Sequence, residues 1–193
     1  MKYVIIGAGG TGGILGFYMT KAGKDVTLIA RNAHLAAMKE QGLTVCHLWD
    51  GTTETVPVKA ENMETYESMI ASAGEAAKPD VILVCVKGYS LDNTVPFIQK
   101  IAKKSTIVIP ILNIYGTGSR LQKKLPELLV TDGCIYVSAN IEGPGALVQH
   151  GKILRVVFGV REKSEFREEL KEIAKDFSDS GISGELSENI RRD

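Results

Sequence analysis

The run Gly7-Ala8-Gly9-Gly10-Thr11-Gly12 fits the pattern GxGxxG and stands directly behind the apolar stretch KYVII. Such a loop brings backbone N–H groups against an anion. Gly7 permits a tight turn, Gly9 lets the backbone approach a pyrophosphate with no Cβ in the way, and Gly12 lets a helix pack closely on a strand. The free N–H groups of the first helical turn and the positive end of the helix dipole then face the phosphates. A strand-to-helix turn with no ligand is the alternative, and it does not need all three glycines at these offsets. About 20 residues beyond such a loop, NAD sites usually carry an Asp or Glu that binds the ribose hydroxyls. Here the second apolar stretch ends in LIA-Arg31-Asn32, with no acid at its tip. A carboxylate would repel a 2′-phosphate, whereas a guanidinium donates a forked, charge-assisted pair of hydrogen bonds to one. NADP(H) is therefore expected in preference to NAD.

Two further polar residues follow apolar runs: Lys87 after DVILVCV and Asn113 after TIVIPIL. Ligands of open α/β sheets lie outside the carboxyl ends of the strands, which makes both residues candidates. Lys87 offers a cation to the cofactor, and Asn113 offers a donor and an acceptor to a nicotinamide ribose or a substrate. A solvated strand end and an Asx-turn are the respective alternatives. His34, His47 and His150 are scattered, with no cysteine or carboxylate at triad or metal spacing, and read as structural.

Short apolar, β-branched runs alternate with helical patterns along the chain, as βαβ units do. Strands are predicted over 2–6, 25–30, 80–86 and 106–112, and helices over 11–22, 34–41, 66–77, 90–102 (capped by Ser90) and 118–125. Asp50-Gly51 predicts a hairpin turn inside 43–60. One or two strands are expected over 130–141, then 146–149 and 153–159 as an antiparallel pair around His150-Gly151-Lys152. An amphipathic helix capped by Ser164 is expected over 164–177. The fold class is therefore α/β, a Rossmann-type doubly wound, mostly parallel sheet with an antiparallel edge. Residues 1–178 read as the NADP-binding domain, and the polar stretch 179–193 as a linker or frayed tail.

The 193 residues carry 23 acidic and 23 basic side chains, so no chain-wide field favours nucleic acid or an anionic membrane. Cys46, Cys85 and Cys134 lie far apart without metal or redox spacing, which fits a reducing cytoplasm. The apolar run before the glycines is too short for a signal peptide, and no stretch approaches a membrane span.

From 1 to about 159 the chain resembles the N-terminal domain of the ketopantoate reductase family (2-dehydropantoate 2-reductase, the NADPH enzyme of pantothenate biosynthesis). The resemblance rests on GAGGTGG, LIARNAHLAAMKEQGL, VKGYSLDNTV, the Asn after the fifth strand, and PGALVQHGK. It implies that Gly7–Gly12 hold the pyrophosphate, Arg31 the 2′-phosphate and Lys87 the cofactor, while Asn113 contacts nicotinamide ribose and substrate. Two departures stand out. Ile114 replaces the glycine of the family's Gln-Asn-Gly, adding bulk beside the expected nicotinamide. The chain also stops where a helical domain carrying the family's lysine and glutamate would begin, so no catalytic residue is expected within it. The expected partner is a small 2-oxoacid, and a homo-oligomer is allowed. The alternatives are a reductase of a different 2-oxo or hydroxy acid and a stand-alone, non-catalytic NADP-binding module.

Overall fold

Strands that are apolar without interruption need cover on both faces, and β1 (Lys2–Ile6) has it. Its Tyr3 and Ile5 enter one hydrophobic cluster, while Val4 and Ile6 enter another on the opposite face. In the computed structural model, which describes residues 1–190, β1 is followed by α1 (Gly10–Lys21), β2 (Asp25–Ile29) and α2 (Asn32–Gln41). Then come β3 (Leu43–His47), β4 (Thr52–Val56), β5 (Lys59–Glu61), α3 (Met63–Ala73) and β6 (Val81–Val84). The chain continues through α4 (Val95–Ile101), β7 (Ile107–Pro110), α5 (Thr117–Lys124), β8 (Leu129–Val130), β9 (Asp132–Gly143) and β10 (Ala146–Gly159). It closes with α6 (Glu169–Asp179) and β11 (Ser183–Ser187).

Six strands form a sheet in the order β5-β2-β1-β6-β7-β8, and every pairing in it is parallel. The chain builds outward from β1 in one direction and then, from β6, in the other. The crevice between β1 and β6 is therefore the topological switch point, where ligands of such sheets bind. The antiparallel strands form a sheet of their own rather than an edge of the first. Here β10 lies parallel to β3 and β11 and antiparallel to β9, and β3 pairs with β4 across the expected Asp50-Gly51 turn. Helix α1 contacts both β2 and the strands β9 and β10, and so is packed between the two sheets. That explains why Ile14, Leu15, Phe17 and Met19 are all buried, where periodicity alone predicts a single apolar face.

Several boundaries differ from expectation for identifiable reasons. Ser90 caps no long helix, because residues 88–94 form two short 3₁₀ turns and α4 begins only at Val95 with Pro96 in its first turn. Ser164 likewise sits inside a 3₁₀ turn whose capping box is made by Glu162 and Glu165. His150-Gly151-Lys152 is no hairpin turn: β10 runs through it with a register shift against β9, and the buried Gln149 amide bonds the Gly151 carbonyl at 3.1 Å. The stretch read as a linker or tail carries β11, which pairs with Arg155–Gly159 of β10. Residues 191–193 of it lie outside the described residues. A polar sequence can form this strand because β10 supplies its backbone partners, while Gly184 lets Phe177 of α6 come close, its virtual Cβ only 2.8 Å from the phenylalanine Cβ.

Helix α6 is tied to the first sheet by Asp176. Tyr3 donates to its Oδ2 at 2.5 Å and Lys24 to its Oδ1 at 2.7 Å. Burial opposes ionisation of Asp176, but the bonds from Lys24 and Tyr3 outweigh it and hold the carboxyl below its ordinary value of 3.8. The Tyr3 phenol is pushed up, by burial first and by Asp176 second. Replacing Asp176 with Asn is expected to destabilise the fold by about 1–3 kcal/mol. Because the folded-state pKa is depressed, the wild type's advantage is full above the unfolded value and disappears as pH falls through the folded one. Thermal melts of both proteins between neutral and acid pH test this, and an advantage independent of pH would contradict it.

Candidate functional site

The glycine loop sits at the switch point. Gly7 has φ +98°, and a Cβ there would lie 2.9 Å from the Cys85 carbonyl oxygen just past β6. A Cβ on Gly12 would lie 2.1 Å from the Gly7 oxygen, which makes this the tight contact of helix on strand expected from the motif. Gly9 is the opposite case: nothing lies within 4 Å of its virtual Cβ, so this face of the loop is open. The absent side chain of Gly10 serves a different contact, since its virtual Cβ lies 2.4 Å from the Ala139 oxygen of β9. It allows the second sheet to pass over the start of α1. Helix α1 begins here with Gly9 as N-cap, no side-chain cap and no acidic residue in its first turn, so its positive end is not neutralised from within. Ala8 is buried and Thr11 half-buried.

Arg31 is the N-cap of α2 at the tip of β2, and its exposed guanidinium has no hydrogen bond or ion pair among the described residues. The next residue, Asn32, has φ +55°, a left-handed conformation that Asn tolerates better than most residues. This turn carries the chain from strand to helix beside the crevice. The acid nearest in register is Glu61 of β5, paired with Ile29, and Lys39 holds its carboxylate at 2.8 Å. His34, which spacing marks as structural, is in the site: its Nε2 lies 2.8 Å from the Ala8 carbonyl oxygen, and its Nδ1 accepts from Gly145 N–H at 2.9 Å. Its place in the first turn of a helix starting at a strand tip was the signal available for finding it.

Lys87 lies exposed beyond β6, its ammonium without a partner among the described residues. Burial pushes the neighbouring Cys85 thiol up to about 12, which disfavours its thiolate form. Asn113 stands beyond β7, but its carboxamide is engaged: Nδ2 donates to the Ile135 carbonyl at 2.9 Å and Oδ1 accepts Ile135 N–H at 3.0 Å. It clips the tip of β7 to β9 and retains one amide hydrogen and one lone pair for a ligand. In the order of the strands, Arg31, the glycine loop, Lys87 and Asn113 therefore mark the ends of β2, β1, β6 and β7.

Beside Asn113 opens a cleft of about 580 Å³, walled by Leu112, Ile114, Tyr115, Asp132 and Cys134. Ile114 and Tyr115 stand 56 % and 96 % exposed at its rim. Asp132 is not free for chemistry. Its Oδ1 accepts Gly118 N–H at 2.7 Å, and its Oδ2 pairs at 3.2 Å with the buried Arg161, which also bonds Gln122 and Glu165. That network holds the start of α5 against β9. Among the described residues no group of His, Cys, Asp or Glu is arranged to hold a metal ion, and no helix is long and apolar enough to cross a membrane.

Comparison with known proteins adds an independent line. Residues 3–163 match the family described as "Ketopantoate reductase PanE/ApbA". The chain is 26 % identical to an uncharacterized oxidoreductase of Bacillus subtilis, YkpB, and 29 % identical to a 2-dehydropantoate 2-reductase of Pyrococcus horikoshii. It is covered to 100 % and 98 % in these alignments but spans only 59 % and 57 % of the two relatives. Among solved structures, the 2-dehydropantoate 2-reductase of Porphyromonas gingivalis superposes with a TM-score of 0.83 at 26 % identity, over 98 % of this chain and 65 % of that one. A D-mandelate dehydrogenase solved with NADH and anilino(oxo)acetate superposes with a TM-score of 0.81 at 26 % identity, over 99 % and 58 %.

Proposed function

The chain belongs to the ketopantoate reductase PanE/ApbA family, and we propose that it is the NADP(H)-binding part of an oxidoreductase acting on a 2-oxoacid, foremost 2-dehydropantoate on the way to pantothenate, in the cytoplasm. The observation that carries this reading is the pairing of an uncapped, acid-free helix start at the switch point with an unpartnered Arg31 one strand away. Gly9 leaves room for a pyrophosphate, and the N–H groups of the first turn of α1 bind it. Arg31 takes the 2′-phosphate, Lys87 adds a cation at the neighbouring strand tip, and Asn113 directs its remaining donor and acceptor at the nicotinamide ribose or the substrate. When bound, the nicotinamide supplies the hydride for reduction of the keto carbon. This chain's residues bind and orient, and the acid–base work belongs to the remainder of a full-length relative.

Fluorescence titration of the chain with NADPH and NADH tests the proposal. Tighter binding of NADPH is expected, equal affinities would remove Arg31 from the reading, and no binding of either would end it.

A second reading of the substrate rests on Ile114, which with Tyr115 gives the cleft an apolar rim where the family resemblance expects glycine. The D-mandelate dehydrogenase likeness supports an aromatic 2-oxoacid there. With NADPH saturating, saturation-transfer NMR is expected to favour benzoylformate over 2-dehydropantoate if this reading holds, and Ile114→Gly should reverse the order.

A further inference from the structure

We infer that His34, as the neutral Nε2–H tautomer, is a positioning residue of the cofactor site that fixes the Ala8–Gly9 peptide so that its N–H faces the phosphates. The inference rests on the dinucleotide reading of the loop and adds to it a residue outside the glycine motif. Gly145 N–H donates to Nδ1 at 2.9 Å, so Nδ1 carries no proton. The ring's one proton then sits on Nε2 and is donated to the Ala8 oxygen at 2.8 Å.

The consequence follows from peptide geometry. No peptide bond among the described residues is cis, and in a trans unit C=O and N–H point in opposite directions. Holding the Ala8 oxygen against α2 therefore turns Gly9 N–H away from α2. At Gly9 the side-chain position is open, and glycine offers little resistance to rotation of the peptide before it. Without the imidazole, this peptide is free to turn its carbonyl oxygen, a partial negative charge, toward an incoming pyrophosphate. His34 prevents that turn with a bond from the helix that also carries Arg31.

The imidazole is itself held from the far side. Gly145 has φ +71°, its carbonyl accepts Thr44 N–H at 2.9 Å, and its virtual Cβ lies 2.9 Å from that of Ala37. The turn between β9 and β10 is thus fixed to both α2 and β3. His34 joins three separate segments: the glycine loop, the strand-tip helix and the second sheet.

Two amide variants divide the two bonds. His34→Gln can place its amide nitrogen where Nε2 stood, four bonds from Cα, and keep the donor to Ala8. His34→Asn can place its oxygen where Nδ1 stood, three bonds from Cα, and keep only the acceptor for Gly145. NADPH titration with thermal melts of each variant is expected to give a Kd raised about tenfold in His34→Ala and His34→Asn, and within about threefold of wild type in His34→Gln. Unchanged affinity in His34→Ala, rescue by Asn instead of Gln, or equal weakening in all three variants tracking a lowered Tm would each overturn the inference. If the variants do not fold, ¹⁵N NMR of the wild-type ring decides: an unprotonated Nδ1 supports the inference, and a protonated one overturns it. Failure of the wild type to bind any dinucleotide would remove the cofactor reading and this inference together, whereas binding that ignores His34→Ala removes the inference alone.

Discussion

Alanine at Gly12 is expected to destabilise the chain by about 2–4 kcal/mol and to abolish dinucleotide binding with it. Two effects compete. Alanine is the better helix former by about 1 kcal/mol. Against that gain, the new methyl would stand 2.1 Å from the Gly7 carbonyl oxygen and 2.9 Å from both Cys85 Cβ and Ile5 Cγ2, all in the buried contact of α1 on β1 and β6. The closest of these is backbone in a tight turn, which cannot rotate aside as a side chain can. Collision therefore wins, and relieving it requires α1 to lift away from the sheet that aims it. Gly9→Ala is the informative partner, because its methyl enters open space at a φ of −80° that any residue adopts. Its stability should stay within about 0.5 kcal/mol of wild type, while its NADPH affinity falls at least about tenfold because the methyl stands where the pyrophosphate must come. Urea melts and NADPH titrations of the two variants separate a glycine needed by the fold from one needed by the ligand. Wild-type stability in Gly12→Ala, or wild-type affinity in Gly9→Ala, would contradict the argument.

The parallel sheet was legible in the sequence because a strand buried on both faces has to be apolar throughout, and YVII, VILVCV and IVIPIL are. The tips of those strands were legible for the same reason, since polarity returns where burial ends, and this identifies Arg31, Lys87 and Asn113. Long-range contact was not legible. Nothing local in SGELS marks it as a strand, because its pairing comes from β10, 28 residues earlier in the register Arg155↔Ser183. The role of Gly10 depends on Ala139, and the role of His34 on Gly145, each more than 100 residues distant. Asn113 stands at the strand tip that made it a candidate, yet the two bonds it makes to Ile135 come from a strand whose position no spacing rule reports. Local rules locate a site's edge, whereas the second sheet determines how the loop and tips are held.

Arg31→Ala is expected to weaken NADPH binding by roughly 10- to 150-fold, the range of one or two charge-assisted hydrogen bonds, while leaving NADH within about twofold of wild type. The asymmetry follows from what stands at the tip of β2. A carboxylate there would bind ribose hydroxyls and favour NADH, and among the described residues Glu61 is the acid whose register brings it alongside. Lys39 bonds both of its oxygens, at 2.9 and 2.8 Å, so its charge is offset and one acceptor site on each oxygen is taken. Arg31 is the opposite case: exposed, unpartnered among the described residues, and fixed at the N-cap by the left-handed turn at Asn32. Little is lost from the fold on removing it, so the variant should melt with the wild type and the change should appear in the ligand alone. Salt provides a second, independent readout. An exposed guanidinium–phosphate contact is screened as ionic strength rises, so the NADPH preference of the wild type should shrink with added salt and that of Arg31→Ala should not. Lys39→Ala tests the other half of the argument: with its lysine gone, Glu61 regains free acceptors and an unshielded charge, and NADH should gain on NADPH even with Arg31 in place. If Arg31→Ala weakens both cofactors equally, Arg31 supports the loop rather than reading the 2′-phosphate, and any preference for NADP(H) must be sought at Lys39 or Lys87.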